Sequence, residues 1–254
     1  MQMSSEQAIR YLCLYIIDMM DRFKFNTTEY KYPSCVIENA FLRCIEQSNI
    51  FENRTGYVII IGSEGMEFVS GNNPSLATSW NGSRPNISYL SVGDIKNVLP
   101  LHLRMMKAAV NGGFVRYMWI DPKNLTRKEE PRTAYIKEYD DYLRVAVSYN
   151  PDIVGLGDTS IPATMCDFLQ QFISNFVITN AHREKWDDRF LDSIDDGNTT
   201  LIDGDEVIIG RASETDIQRA NAIVDLNGGG YIDDNTFCSQ VAFTNMIVWY
   251  RYPS

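Results

Sequence analysis

Histidine is nearly absent. There are two in 254 residues, His102 and His182. Neither falls in a metal or nucleophile motif, and no Gly-x-Ser-x-Gly, His-Glu-x-x-His or phosphate-loop run occurs. The common hydrolytic, zinc and nucleotide chemistries therefore have no carrier, and no enzyme and no cofactor are expected. Positive charge is also short: 23 Lys and Arg stand against 33 Asp and Glu, a net charge of -10. A phosphate backbone needs a basic surface, so nucleic acid is excluded as a partner. A small anion can still be held by local cations. No run approaches ~18 apolar residues. The longest, YLCLYIIDMM from Tyr11 to Met20, is broken by Asp18 and has no Ala-x-Ala cleavage pattern. It is neither a membrane span nor a signal peptide, and membrane attachment is expected only through segments outside this sequence. The five cysteines, Cys13, Cys35, Cys44, Cys166 and Cys238, show no Cys-x-x-Cys spacing and make no zinc site. A Cys35–Cys44 bridge and buried free thiols both stay open.

What is present is a chain with 44% apolar residues, enough for one large or two small globular domains. Apolar residues at helical spacing predict a helix from Ser4 toward Phe23 and a second from Cys35 to Gln47. The run Tyr57–Ile61 is β-branched and reads as a buried strand, returning through Ser63-Glu64-Gly65 into Met66–Ser70. Gly71–Gly93 is rich in Asn, Ser, Gly and Pro and reads as a long loop, of a length usually kept for function. A helix over Leu101–Val110 ends in Asn111-Gly112-Gly113, which is C-cap chemistry. Strands follow over Phe114–Ile120, Thr133–Tyr139 and Tyr142–Ser148. Sequential antiparallel strands with helices grouped around them predict an α+β fold.

The stretch Asn111–Tyr139 carries the chemistry. Val115, Tyr117 and Trp119 alternate onto one face of a strand. Arg132 and Tyr135 stand on the next strand. An arginine can grip a carboxylate with two parallel hydrogen bonds, and Tyr and Trp offer apolar walls with polar tips. These four, Tyr117, Trp119, Arg132 and Tyr135, are the candidate ligand-binding residues. Core aromatics and a solvated cation are the plain alternative.

Several motifs in order are similar to those of the single-Cache sensor domains: Tyr57-Val58 with Gly65, then Asn73-Pro74-Ser75-Leu76, then Gly112-Gly113-Phe114-Val115 with Tyr117, Trp119 and Pro122, then Pro131-Arg132-Thr133-Ala134-Tyr135-Ile136-Lys137. The resemblance covers roughly residues 34–150. The family's lysine is Arg132 here, Ala77-Thr78 replace a glycine-rich loop, and the last strand ends in Ser148-Tyr149-Asn150 without the usual glycine. What the resemblance implies is a Cache/PAS-like five-stranded antiparallel sheet in a domain over 1–150, with a long N-terminal helix. It also implies an extracytoplasmic sensor for a small organic acid or amino acid. The ligand would lie beneath the Gly71–Gly93 loop on the Tyr117–Trp119 face, with Arg132 holding its carboxylate at the pocket rim. A homodimer through the N-terminal helix belongs to the same expectation. A free-standing secreted binding protein, or an enzyme-associated domain, remain the alternatives. Six Asn-x-Ser/Thr acceptors, at Asn26, Asn53, Asn81, Asn86, Asn124 and Asn198, lean toward a secreted chain.

Residues 151–254 are expected to form a smaller α+β extension. A helix over Ala163–Val177 carries Met165, Phe168, Leu169, Phe172 and Phe176 on one stripe, which reads as core. The segment DLNGGGYIDDNTF at Asp225–Phe237 has the look of a calcium loop, with Asp225, Asn227 and Asp233 at oxygen-ligand positions. Two ligands are missing, with Gly229 and Thr236 in their places, so no metal is expected to matter there. A competing reading is an internal repeat. AAVNGGFVRYMWID and AIVDLNGGGYIDD both run from a helix through Asn-Gly-Gly into a strand, and TTLIDGDEVIIG could match the earlier hairpin. That would make the C-terminal region a degenerate second Cache-like unit.

Overall fold

The computed structural model describes residues 4–25, 36–51, 55–63, 67–70, 92–120, 129–152, 160–179 and 188–253. The first half contains α1 (Ser5–Arg22), α2 (Val36–Gln47), β1 (Gly56–Gly62), β2 (Glu67–Ser70), α3 (Val92–Ala109), β3 (Gly113–Ile120), β4 (Glu129–Glu138) and β5 (Leu143–Tyr149). The second half contains α4 (Ile161–Thr179), α5 (Asp188–Ile194), β6 (Thr199–Asp203), β7 (Glu206–Ile209), α6 (Glu214–Asn227), β8 (Gly229–Asp233), β9 (Thr236–Gln240) and β10 (Met246–Arg251). The two halves thus read the same sequence of elements, helix-helix-strand-strand-helix-strand-strand-strand.

Two antiparallel five-stranded sheets result, β2-β1-β5-β4-β3 and β7-β6-β10-β9-β8. The C-terminal residues build a sheet of equal strand count and identical order. The likeness reaches single residues. In the first hairpin Ile60 pairs with Val69 and Ile61 with Glu67, skipping Phe68. In the second, Leu201 pairs with Ile209 and Ile202 with Val207, skipping Ile208. Both bulges sit at the same step of the ladder. Each third helix then ends in a left-handed glycine, Gly112 (φ 74) and Gly228 (φ 72), before the next strand. Glycine reaches that conformation without a Cβ penalty.

Five layers stack in order: α3, the first sheet, a helical layer, the second sheet and α6. The helical layer is one continuous core. It joins Leu12, Ile16 and Met19 of α1 and Phe41 and Ile45 of α2 to Phe168 and Phe172 of α4 and Phe190 of α5. Strand residues Val58, Val145 and Val147 enter it from one side, and Leu201, Val248 and Tyr250 from the other. The phenylalanines stack in a file, Phe168 on Phe172 and Phe172 on Phe190, 5.8 and 4.8 Å between centroids.

The first helix starts on a capping box, Ser4 accepting from the Gln7 amide while Gln7 accepts from Ser4, a reciprocal closure of two otherwise orphaned donors. Ile9, Leu12, Ile16 and Met19 are buried, Tyr11, Leu14 and Ile17 are half-buried against the same core, and Gln7, Arg10, Asp18 and Asp21 are exposed. Cys44 is buried and free, as are Cys13, Cys166 and Cys238, so the Cys35–Cys44 bridge is not formed. No helix among the described residues is long and apolar enough to cross a membrane.

The segment with the look of a calcium loop is a helix-to-strand corner. Asp225 and Asn227 belong to the last turn of α6, Gly228 caps it, and Asp233 closes β8 beside Arg251, 3.8 Å away. The other segment with this pattern, Ala108–Asp121, builds the same helix-to-strand corner up to Ile120.

Candidate functional site

The outer face of the first sheet is set by strand parity. Tyr57, Ile59 and Ile61 of β1, Val115 of β3, Ile136 of β4 and Ala146 of β5 share it, with Met105 and Ala109 of α3 packed over its centre. At one end this apolar surface gives way to polar groups. Tyr117 lies directly across from Arg132, and Trp119 across from Glu130. Ser148 lies across from Ala134 on one side and Tyr57 on the other. The predicted residues Tyr117, Trp119 and Arg132 are thus brought together, with the rings of the first two 6.4 Å apart at 80°.

Tyr135 is not part of this group. It packs in the helical-layer core on the opposite face, edge-on to Phe114 at 5.0 Å with Arg10 above its ring. The reason is the two-residue period of a strand: positions 132 and 135 differ by an odd number and point to opposite sides.

Arg132 differs from the rim cation expected from its position. Its side chain is 4% exposed. One terminal nitrogen donates to the Thr55 carbonyl at 2.9 Å, the other lies 3.4 Å from a Glu130 oxygen, and the guanidinium sits 5.4 Å above the Tyr57 ring. Asn150 Nδ2 donates to the same Glu130 oxygen at 3.1 Å. A buried cation is tolerable only when so surrounded. The Tyr117 hydroxyl is 2.9 Å from Ser148 Oγ. Burial first, and the neighbouring Tyr57 next, push the Tyr117 phenol well above its ordinary value. It therefore stays a neutral donor and acceptor across physiological pH.

Sequence reasoning missed Tyr57, Glu130, Ser148 and Asn150. The signal was available: Glu130 is two residues from Arg132, and Tyr57 shares parity with Ile59 and Ile61. The arrangement offers a guanidinium, a carboxylate, an amide, two phenols and an indole across four adjacent strands, β1, β5, β4 and β3, which is recognition chemistry without a nucleophile–base pair. No cluster of metal-ligating side chains occurs among the described residues. The loop at 71–91, the predicted roof, lies outside the described residues, as do five of the six glycosylation acceptors. The sixth, Asn198, is half-buried, with its Nδ2 donating to Asp196.

The second sheet covers its outer face in the same way, with α6 in the place of α3. Trp249, Ile247, Cys238, Ile202 and Ile232 close with Ile217, Ala220 and Val224 of α6 into a solid core. Trp249 holds the position that Ala146 holds in the first sheet, each lying one step along from the bulge-flanking valine.

No family model matches the chain, and no curated protein matches it. Among solved structures it is similar to a Cache chemosensory domain studied for its carboxylic acid recognition. The two share 15% identity at a TM-score of 0.34, over 58% of this chain and 93% of that one. An overlap that loose transfers neither fold nor ligand.

Proposed function

We propose that the chain is a small-molecule sensor domain whose ligand lies on the outer face of the first sheet, against Tyr117, Trp119 and Arg132. The observation that carries this reading is the buried Arg132 guanidinium set among Tyr57, Tyr117, Ser148 and Glu130. An apolar core has no use for so many converging polar groups, and a binding site needs a few placed against hydrophobic walls. Glu130 beside Arg132 favours an amino acid over a simple acid, because an ammonium group can satisfy the carboxylate while the ligand's own carboxylate meets the guanidinium. The acidic chain and its six glycosylation acceptors fit an extracytoplasmic setting. Mass spectrometry of small molecules that co-purify with the protein, followed by calorimetric titration of amino acids and organic acids, tests the reading. Saturable binding that vanishes in Tyr117→Ala with the fold intact supports it. Binding unchanged by Tyr117→Ala and Trp119→Ala would sink it.

A further inference from the structure

Phe243, in the turn from β9 to β10, is held out in water on a strained backbone. It is 93% exposed, and its φ is 62. That left-handed region suits glycine or asparagine and penalises a bulky side chain. Of the other described non-glycine residues with positive φ, Phe51 is buried and Lys24 carries its charge into solvent. Packing within the chain does not offset the strain at Phe243, and strain kept at an exposed aromatic points to a use. The turn around it is tied down. Thr244 Oγ1 donates to the Val241 carbonyl at 2.8 Å and accepts from the Met246 amide at 3.0 Å. Ser174 of α4 donates to the Ala242 carbonyl at 3.1 Å, and Gln240 Nε2 to the Thr244 carbonyl at 3.2 Å. With both neighbours anchored, little ordering of the turn is left for a docking event to impose.

The corresponding turn of the first sheet, between β4 and β5, is closed by a carboxylate instead. Asp140 Oδ1 accepts from the amides of Tyr142 and Leu143, and Asp141 follows it. The β9–β10 turn has Ala242, Phe243, Thr244 and Asn245 in that place. Beside Phe243 lies an open hollow of ≈ 520 Å³, lined by Gly228, Gln240, Ala242, Thr244, Asn245 and Phe243 itself. None of these described lining residues carries a charge. On a chain of net charge -10, two copies repel wherever their acidic surfaces meet, and an uncharged patch is where they can approach. A projecting ring next to a hollow is also self-complementary. Under a two-fold axis the ring of each copy enters the hollow of the other, and the two rings meet near the axis. We infer that the β9–β10 turn is a weak self-association surface, with Phe243 of each copy seated in the Gly228–Asn245 hollow of the second copy. Two buried rings remove about 150–250 Å² each from water. Even with the hollow walls added, the contact stays below the roughly 1,200 Å² of a stable interface, so the dimer is expected in the high micromolar range.

Sedimentation equilibrium of the full chain, from about 10 μM to about 1 mM, tests this. The expected result is a monomer–dimer equilibrium that strengthens with added salt, which screens the repulsion between two acidic chains. Phe243→Gly should weaken it about tenfold or more. The melting temperature of that variant should not fall, because glycine takes the left-handed turn without strain. Asn245→Lys, at an exposed position, should weaken the dimer as well by placing a charge in the hollow. A dimer that survives Phe243→Gly overturns the inference and fits a contact through α1. A dimer lost with Phe243→Gly but indifferent to Asn245→Lys overturns the seating of the ring in the hollow. A monomer at every concentration overturns self-association and leaves Phe243 to a partner of another kind.

Discussion

Cys13 and Cys166 occupy matching places in the two halves of the molecule. Cys13 Sγ donates to the Val145 carbonyl at 3.3 Å, and Cys166 Sγ reaches the Val248 carbonyl at 3.9 Å. Val145 pairs with Ile60 and Val248 with Leu201, each strand residue flanking its hairpin's bulge. With the two cysteines aligned, the buried positions of α1 and α4 coincide: Leu12 with Met165, Tyr15 with Phe168, Ile16 with Leu169, Met19 with Phe172 and Met20 with Ile173. The edge-on pairs Phe114–Tyr135 and Tyr231–Phe237, both 5.0 Å apart, extend the match to the far strands.

Because the two units share one helical core, neither is expected to fold alone. Tyr11 of α1 meets Tyr250 of β10 at 2.7 Å between hydroxyls, and Tyr15 bonds Thr199. A chain cut after Asp152 exposes these contacts and the inner faces of α1 and α2. The full chain should unfold in urea in one cooperative transition, and residues 1–152 should show none. A fragment that melts as cooperatively as the whole chain would contradict the shared core.

The duplication was half legible. The two helix–Asn-Gly-Gly–strand corners and the two hairpins can be seen in the sequence. The match of α1 to α4 cannot, because SEQAIRYLCLYII and IPATMCDFLQQFI share a burial rhythm but few letters. The strand aromatics were legible as a face, and Tyr117 and Trp119 fall together as alternation requires. Tyr135 was misplaced because chemistry was weighed before parity. Arg132 was read as a rim cation because the Thr55 carbonyl that holds it comes from a distant position brought near only by the fold.

Reciprocal arginines latch the units together. Arg189, at the start of α5, donates to the carbonyls of Phe23 and Lys24 and to Glu38 at 2.8 Å, with its guanidinium 4.2 Å over the Phe23 ring. Arg22 in return donates to the Ser193 carbonyl at 2.9 Å. Glu38 is 3% exposed, so removing Arg189 leaves a buried carboxylate beside carbonyls that have lost their donor. Arg189→Ala should cost about 2–3 kcal/mol, reduced from the fully buried case because Arg189 is partly exposed. The double variant with Glu38→Gln should recover part of it. Chemical denaturation of the three proteins checks this, and an additive double mutant would show that the pair is not coupled.

Burial pushes thiols and phenols up in the helical core and in the core beneath α6. Cys44 is raised to about 12 and Cys238 to about 11 from an ordinary 9.0, and burial likewise raises Cys13, Tyr15 and Tyr250. The neutral forms are favoured in the folded state. Their stabilisation is complete below the unfolded values and is lost as pH rises through the folded ones. Melting temperature should therefore hold between pH 7 and 8 and fall steadily from about pH 9 upward. In the native protein at pH 8, alkylation mapped by mass spectrometry should miss Cys13, Cys44, Cys166 and Cys238. Rapid labelling of any of the four without denaturant would show that its burial is not as described.

Arg132 should couple binding to stability. Its guanidinium spans the Thr55 carbonyl, Glu130 and the Tyr57 ring while almost wholly out of solvent. Arg132→Ala removes the donor to Thr55 and leaves Glu130 with Asn150 alone among those contacts. The expected loss is about 3 kcal/mol. Arg132→Lys keeps the charge but cannot reach two acceptors in one plane, so it should lose about half as much while weakening an amino acid ligand by about tenfold or more. Tyr135→Phe, on the opposite face, should leave that affinity unchanged. Thermal melts and calorimetric titrations of the three variants separate the effects. If Arg132→Lys binds the ligand as well as the parent does, Arg132 holds the sheet together and does not hold the ligand. If Tyr135→Phe weakens binding, the ligand is not confined to the outer face.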